Sequence, residues 1–284
     1  MGGSIDWRPL GAASPDALAD ARLQAHYAAQ WLARAARANL PAQADDSHLN
    51  LGWEGAADGF ATHAFTNGTR LALIVPELTI ALLAPNGARA SSLALAGRTE
   101  AAVRAGLAAM LDEAGLAVMG FDDPLGYDMP AHPLAQGAAY GGQGLGAPLT
   151  ELAAWFANGA VLIEGARAAM AANGHPAPGA RCWPHHFDLA TLATYPMADG
   201  ATAYVGAGIS PGDGFYAEPY FYASFYPRPE LAALPELPAP AHWHTHEFFA
   251  AVATASKIRV AARPREDTGA AVAAALAAGF ATLK

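Results

Sequence analysis

Tyr216-Ala217-Glu218-Pro219-Tyr220-Phe221-Tyr222-Ala223-Ser224-Phe225-Tyr226 reads with a period of two. Residues two apart on an extended chain share a face. Tyr216, Glu218, Tyr220, Tyr222, Ser224 and Tyr226 therefore line one side, polar and aromatic, and Ala217, Pro219, Phe221, Ala223 and Phe225 line the other, which reads as core. Just before this stretch, Ser210-Pro211-Gly212-Asp213 carries proline and glycine at the central positions of a turn. Further out, Arg181 to Tyr195 and Ala201 to Ile209 also read as strands. A helix from Thr150 to about Ala172 precedes them, and a helix from Thr245 to Lys257 follows, with Thr245 as its N-cap.

The first half of the chain gives the same order. Ser14 and Pro15 open a helix to Asn39 in which Leu23, Tyr27 and Trp31 recur at helical spacing, stopped by Pro41. Strand-like runs follow at His48 to Trp53, Phe60 to Thr66 and Leu71 to Leu83, broken by Asn67-Gly68 and Asn86-Gly87. A second helix spans Thr99 to Glu113, with Val103, Leu107, Met110 and Leu111 on one stripe and Gly115 as its stop. The expected fold class is α+β: two similar halves, each a helix, a small antiparallel sheet and a helix, plus a C-terminal helix from Asp267 to Thr282. The expected boundaries are 1–120, a Gly/Pro-rich connecting segment 121–148, and 149–284. Ser47-His48-Leu49-Asn50-Leu51 and His185-His186-Phe187-Asp188-Leu189 occupy matching places in the two halves. An internal duplication and a coincidence of α+β order both account for this. Segment 121–148 reads either as a linker or as a loop over a site.

Composition narrows the function. The 284 residues are 53% hydrophobic and 14% charged, enough apolar material for a sizeable core. Lys and Arg total 16 against 25 Asp and Glu, a net charge of -9, which argues against nucleic acid or an anionic membrane as partner. The sequence starts without a basic, then apolar, leader pattern, and no stretch reads as a membrane span, so a cytoplasmic location is expected. The one cysteine, Cys182, makes neither an internal disulfide nor a multi-cysteine zinc site. Any metal would rest on histidines and carboxylates.

Those residues concentrate in the second half. Alternation from His185 puts His186 and Asp188 on one side of a strand. If that strand and Tyr216–Tyr226 share a sheet, His186, Asp188, Glu218, Tyr220 and Tyr222 share a surface. Tyrosine rings with a carboxylate and an imidazole suit a pocket for a small polar molecule. Ala241-His242-Trp243-His244-Thr245 adds two histidines that point the same way on an extended chain. His186, Asp188, His242 and His244 are then a candidate ligand set for a divalent metal such as zinc, iron or manganese. Without metal, His186, Asp188 and Glu218 are acid–base candidates, and Tyr220, Tyr222 and His185 are candidates for binding substrate. Solvated sheet faces and hydrogen-bonded histidines explain the same residues without chemistry, and both readings stand.

Sharper motifs fail. Gly208-Ile209-Ser210-Pro211-Gly212 matches G-x-S-x-G, but Pro211 lacks the N–H an oxyanion hole needs. Gly142-Gln143-Gly144-Leu145-Gly146-Ala147 matches a dinucleotide fingerprint but follows no strand. His242-Trp243-His244-Thr245-His246-Glu247 has the first part of a cupin metal motif, but its spacing to Glu247 is short and Phe248 to Val252 reads as helix.

Trp183-Pro184-His185-His186-Phe187-Asp188-Leu189-Ala190, Ser210-Pro211-Gly212-Asp213, Glu218-Pro219-Tyr220-Phe221-Tyr222 and Trp243-His244-Thr245 together resemble an uncharacterised bacterial protein family of unknown function. The resemblance extends over most of the chain, including Asp45-Asp46-Ser47-His48 and Tyr127-Asp128-Met129-Pro130-Ala131-His132-Pro133. It implies which residues to test and supplies no activity. The expectation is a His/Asp/Tyr-lined small-molecule pocket, serving a metal-assisted enzyme on a small polar substrate. The alternative is a non-catalytic binding or interaction module, with a homo-oligomer as one form of it.

Overall fold

The computed structural model describes residues 6–197, 200–231 and 234–282. It is an α+β chain with two antiparallel sheets. Two compact units divide it. One comprises Ala12–Ala154 and Cys182–Phe187; the other comprises residues 6–11, Trp155–Arg181 and the described residues from Asp188 onward.

The first unit opens with a helical turn at Pro15–Ala17 that runs into α1 (Leu18–Asn39). Its sheet is a meander, β1 (Gly52–Glu54), β2 (Gly59–Ala61), β3 (Arg70–Ile74), β4 (Thr79–Leu83) and β5 (Arg89–Ala94), each strand antiparallel to the next. Side-chain size sorts with the period of two. Ala61, Ala72, Ile74, Ala81 and Leu83 form one buried face, while Phe60, Leu71, Leu73, Ile80 and Leu82 are buried on the other. Both sides of β3 and β4 are thus dry, which is why Leu71 to Leu83 reads as a nearly continuous apolar run. α2 (Glu100–Glu113) follows, capped by Thr99, whose hydroxyl accepts from the N–H of Ala102 at 3.3 Å. Segment 121–148, expected as a connector, belongs wholly to this unit. Its first part is tied to α1: Arg34 donates to the carbonyls of Phe121 and Asp123, and Tyr27 donates to that of Pro130. It leads into α3 (Gly146–Ala172), within which the unit boundary falls.

The second unit carries a sheet with the order β10-β11-β9-β8-β7. The strands are β7 (Asp188–Pro196), β8 (Thr202–Ser210), β9 (Tyr220–Tyr226), β10 (His242–His244) and β11 (Ala250–Thr254), preceded in sequence by the short β6 (Arg181–Trp183). Val205, Ala207, Ala223, Phe225 and Ala251 share a core with Ala166 and Met170 of α3 and with Ala275, Leu276 and Phe280 of α5 (Pro264–Thr282). Close approach is permitted where α3 has no side chain: a Cβ on Gly159 would lie 2.4 Å from Ile209 Cγ2. Among the described residues, no helix is long and apolar enough to cross a membrane.

Three local expectations are corrected. Residues 245–249 are not helical, and Ala250–Thr254 is a strand buried throughout; the helix α4 covers only Ala255–Arg259. A short apolar run fits a buried strand as well as a helix turn, and pairing with β9 and β10 decides it. The helical reading of Phe248 to Val252 therefore drops out of the comparison with a cupin motif. His185 and His186 lie in a turn, Pro184–Phe187, where Phe187 has φ 57°, so His186 does not share a strand face with Asp188. The strand expected from Tyr216 begins at Tyr220, after Pro219, which has no N–H to give a ladder.

Candidate functional site

Strand register assembles one polar, aromatic face in the second unit. Tyr222 on β9 is opposite Gly208 on β8 and Val252 on β11, and His242 on β10 is opposite Val252. Since registered partners share a face, Tyr220, Tyr222, His242 and His244 emerge on the side away from the α3 and α5 core. Asp188 at the start of β7 joins them by contact. Tyr222 donates its phenol proton to Asp188 Oδ2 at 2.5 Å.

That contact depends on a missing side chain. An ideal Cβ on Gly208 would lie 2.5 Å from the Tyr222 hydroxyl, so the phenol crosses β8 over a bare backbone to reach Asp188. Burial first, and then the neighbouring Asp188 carboxylate, pushes the Tyr222 phenol well above its ordinary pKa. The proton stays on the tyrosine at neutral pH.

A second pair has the same form. Tyr220 donates to Asp213 Oδ2 at 2.5 Å, while Oδ1 of Asp213 accepts from the backbone N–H groups of Phe215 and Tyr216 at 2.8 and 3.1 Å. One carboxylate thus shapes the turn after β8 and holds a phenol. Burial and the hydrogen bond to Asp213 raise the Tyr220 pKa.

The third tyrosine bridges the two histidines. The Tyr216 hydroxyl is 3.0 Å from His242 Nε2 and 2.8 Å from His244 Nδ1, and His244 Nε2 is 2.6 Å from the His246 carbonyl. A carbonyl only accepts, so His244 carries its proton on Nε2 and, when neutral, a lone pair on Nδ1. Tyr216 donates to that lone pair, and its oxygen accepts from His242 Nε2–H. Phe248 stacks on the His244 ring at 4.0 Å between centroids, with Phe215 packed edge-on at 5.7 Å. Burial, with Lys257 and His244 nearby, lowers the His242 pKa and favours its neutral form.

The residues singled out in the sequence separate into three groups. Asp188, Tyr220, Tyr222, His242 and His244 lie on this face. Glu218 instead serves α4, where Oε2 accepts from Ser256 N at 2.5 Å and Oε1 from Ser256 Oγ at 2.8 Å. His185 and His186 belong to the first unit, with ring centroids 4.1 Å apart, and His185 packs on Tyr127 at 5.6 Å. Burial and the neighbouring His186 lower the His185 pKa. Among the described residues, no three His, Cys, Asp or Glu side chains gather as the ligands of one metal ion would.

Two members had weaker sequence signals. Tyr216 falls on the polar face by alternation, though nothing in its neighbourhood marks it as the bridge between histidines 26 and 28 positions away. Asp213 is legible only as a turn residue. Comparison with protein-family models, with curated proteins and with solved structures gives no match, so the roles of these residues rest on the geometry alone.

Proposed function

We propose that the second unit binds a small polar molecule on this sheet face and moves a proton on it. The observation that supports this reading is the run of three phenols, each hydrogen-bonded to a carboxylate or an imidazole. Tyr220 and Tyr222 already spend their protons on Asp213 and Asp188. What the two phenol oxygens and the exposed Asp213 carboxylate retain is lone pairs, so the fitting ligand is rich in donors: a polyol, a sugar or an amino alcohol.

Proton transfer would fall to His242, Tyr216 and His244. A proton gained by His242 at its buried Nδ1 leaves that ring neutral again after two shifts through the Tyr216 hydroxyl: His242 Nε2–H to the phenol oxygen, and the phenol proton to His244 Nδ1. Phenol and ring end neutral, and His244 carries the charge between Phe248 and the His246 carbonyl. A metal on these imidazoles would have to displace the bonds to Tyr216, so the proposed chemistry is general acid–base catalysis.

The test is saturation-transfer NMR with a panel of monosaccharides, inositol and amino alcohols, on the wild type and on Asp213→Asn and Tyr216→Phe. Binding by at least one compound, weakened by Asp213→Asn, supports the reading. No binding by any, or binding indifferent to both substitutions, overturns it. A second reading, a docking surface for a protein or a second copy, draws on the lower part of the same face, where Leu192 and Tyr226 stay nearly half exposed and Tyr226 stacks on Tyr204 at 5.6 Å. Concentration-dependent sedimentation lost in Tyr226→Ser would favour it.

A further inference from the structure

The first unit contains a cavity that the sheet-face reading does not use. It has a volume of about 340 Å³ and lies among α1, the N-terminal turn of α2 and the segment from Phe121 to Ala135. Its apolar wall is Trp31, Phe121, Leu125 and Met129; its polar groups include Arg34 of α1 and Glu100 of α2. The Arg34 guanidinium lies 5.7 Å over the Trp31 ring. Only its Nη1 is engaged by the overlying segment, at 2.6 Å from the carbonyls of Phe121 and Asp123. Nε and Nη2, the edge that pairs with a planar anion, make no hydrogen bond among the described residues. Glu100 accepts from the Tyr140 hydroxyl through Oε1.

We propose that this cavity binds a small organic monocarboxylate, its carboxylate shared between Arg34 and Glu100 and its apolar body against Trp31, Phe121, Leu125 and Met129. A single anionic group matches the half-buried Arg34 guanidinium, whose Nε and Nη2 make no hydrogen bond among the described residues. An organic cation would meet Arg34 and, at the rim, Arg104. A phosphate would bring a second negative charge beside Glu100 and Asp122.

Two carboxylates can share the site when one of them takes up a proton as the ligand binds. Burial raises the Glu100 pKa, outweighing the opposing effects of Tyr140, Trp31 and Arg34. The protonated acid donates to the ligand, as carboxylic acids in apolar sites do. The other groups around it hold their charge states through mildly acidic to neutral pH. Tyr27 and Arg34 face it from α1, Arg104 from α2 and Asp122 from the overlying segment, with Tyr140 bonded to Glu100 and Tyr127 one step back, donating to the lining residue Gln30. Burial raises the pKa of all three tyrosines, and Arg104 holds Asp122 below the ordinary carboxylate range. Arginine stays protonated throughout.

Calorimetry on the whole chain with benzoate and hexanoate, at about pH 5.5 and 7.5 in buffers of different ionisation heat, tests this. The expected result is a Kd of about 1 mM or tighter at the lower pH. Binding should take up a proton and weaken as pH rises, by at most about tenfold per pH unit for one proton. Glu100→Gln, which keeps an acceptor for Tyr140 and gives the ligand an N–H, should bind with no proton uptake. Arg34→Lys should weaken binding about tenfold or more. Met129→Trp, which leaves every polar group in place and fills the cavity, should abolish it. Failure of both acids to bind by about 10 mM at the lower pH, equal binding of benzamide, or binding that survives Met129→Trp would each overturn the proposal.

Discussion

Tyr222→Phe removes one oxygen from the sheet face and leaves the ring lying across Gly208. The lost interaction is the 2.5 Å hydrogen bond to Asp188, and a hydrogen bond to a charged group contributes about 1.5–3 kcal/mol. The packing part should be near zero, because the closest contact to Gly208 comes from the ring end and its hydroxyl, and removing the latter only loosens it. Because the chain has two compact units, a single melting temperature would blend them. Amide hydrogen exchange read by mass spectrometry on separate peptides resolves them. Where exchange follows opening of β7–β9, the stated loss speeds it by about ten- to a hundredfold. Peptides from β1–β5 should be unchanged and act as the internal control. Asp188→Asn in the same background should show coupling of about 1 kcal/mol or more between the two positions. Unchanged protection across β7–β9, or strictly additive substitutions, would refute the claim that the phenol–carboxylate pair ties β9 to β7 across the bare backbone of β8.

Three further outcomes are expected. His26 is buried, with Nε2 2.7 Å from the Pro184 carbonyl, and burial lowers its pKa to about 4. The unfolded chain therefore takes up a proton as pH falls through 6.5 while the fold resists until about 4, so the stability of the first unit drops over that window by about 3 kcal/mol; urea-dependent amide exchange of α1 peptides, wild type against His26→Gln, should show the excess pH slope only in wild type. Gly59→Ala would put a Cβ 1.9 Å from the Leu73 carbonyl oxygen, a backbone atom that cannot swing aside, and should cost at least about 3 kcal/mol, read as loss of exchange protection in β2 and β3. Thr99→Ala should cost about 1 kcal/mol through the lost cap, with the faster exchange confined to the first turn of α2.

Alternation and capping made most elements legible. The polar and apolar sides of β9 follow from Tyr220 to Tyr226 alone, and Thr99 marks the start of α2, because both depend on neighbours within a few residues. The same local rules put His242 and His244 on one face, and that pairing held once β10 formed. Local rules misjudged Ala250–Thr254, whose apolar run carries no period of its own and becomes a strand because β9 and β10 supply hydrogen bonds on both sides.

Residue order alone was enough for the α+β class and the two sheets, and it marked the residues that would be polar on a largely apolar chain. Which of these meet was settled only when the elements packed. His186 and Asp188 are two residues apart, yet the turn at Pro184–Phe187 assigns them to different units. Asp188 and Tyr222 are 34 apart and touch, because β8 lies between them with glycine at the crossing point. Glu218, adjacent to the aromatic run, is drawn to the N–H of Ser256 because an uncapped helix start is a stronger claim on a carboxylate than an open sheet face. Side-chain chemistry is written residue by residue, but proximity between distant residues is fixed by strand order and register, which belong to the fold as a whole.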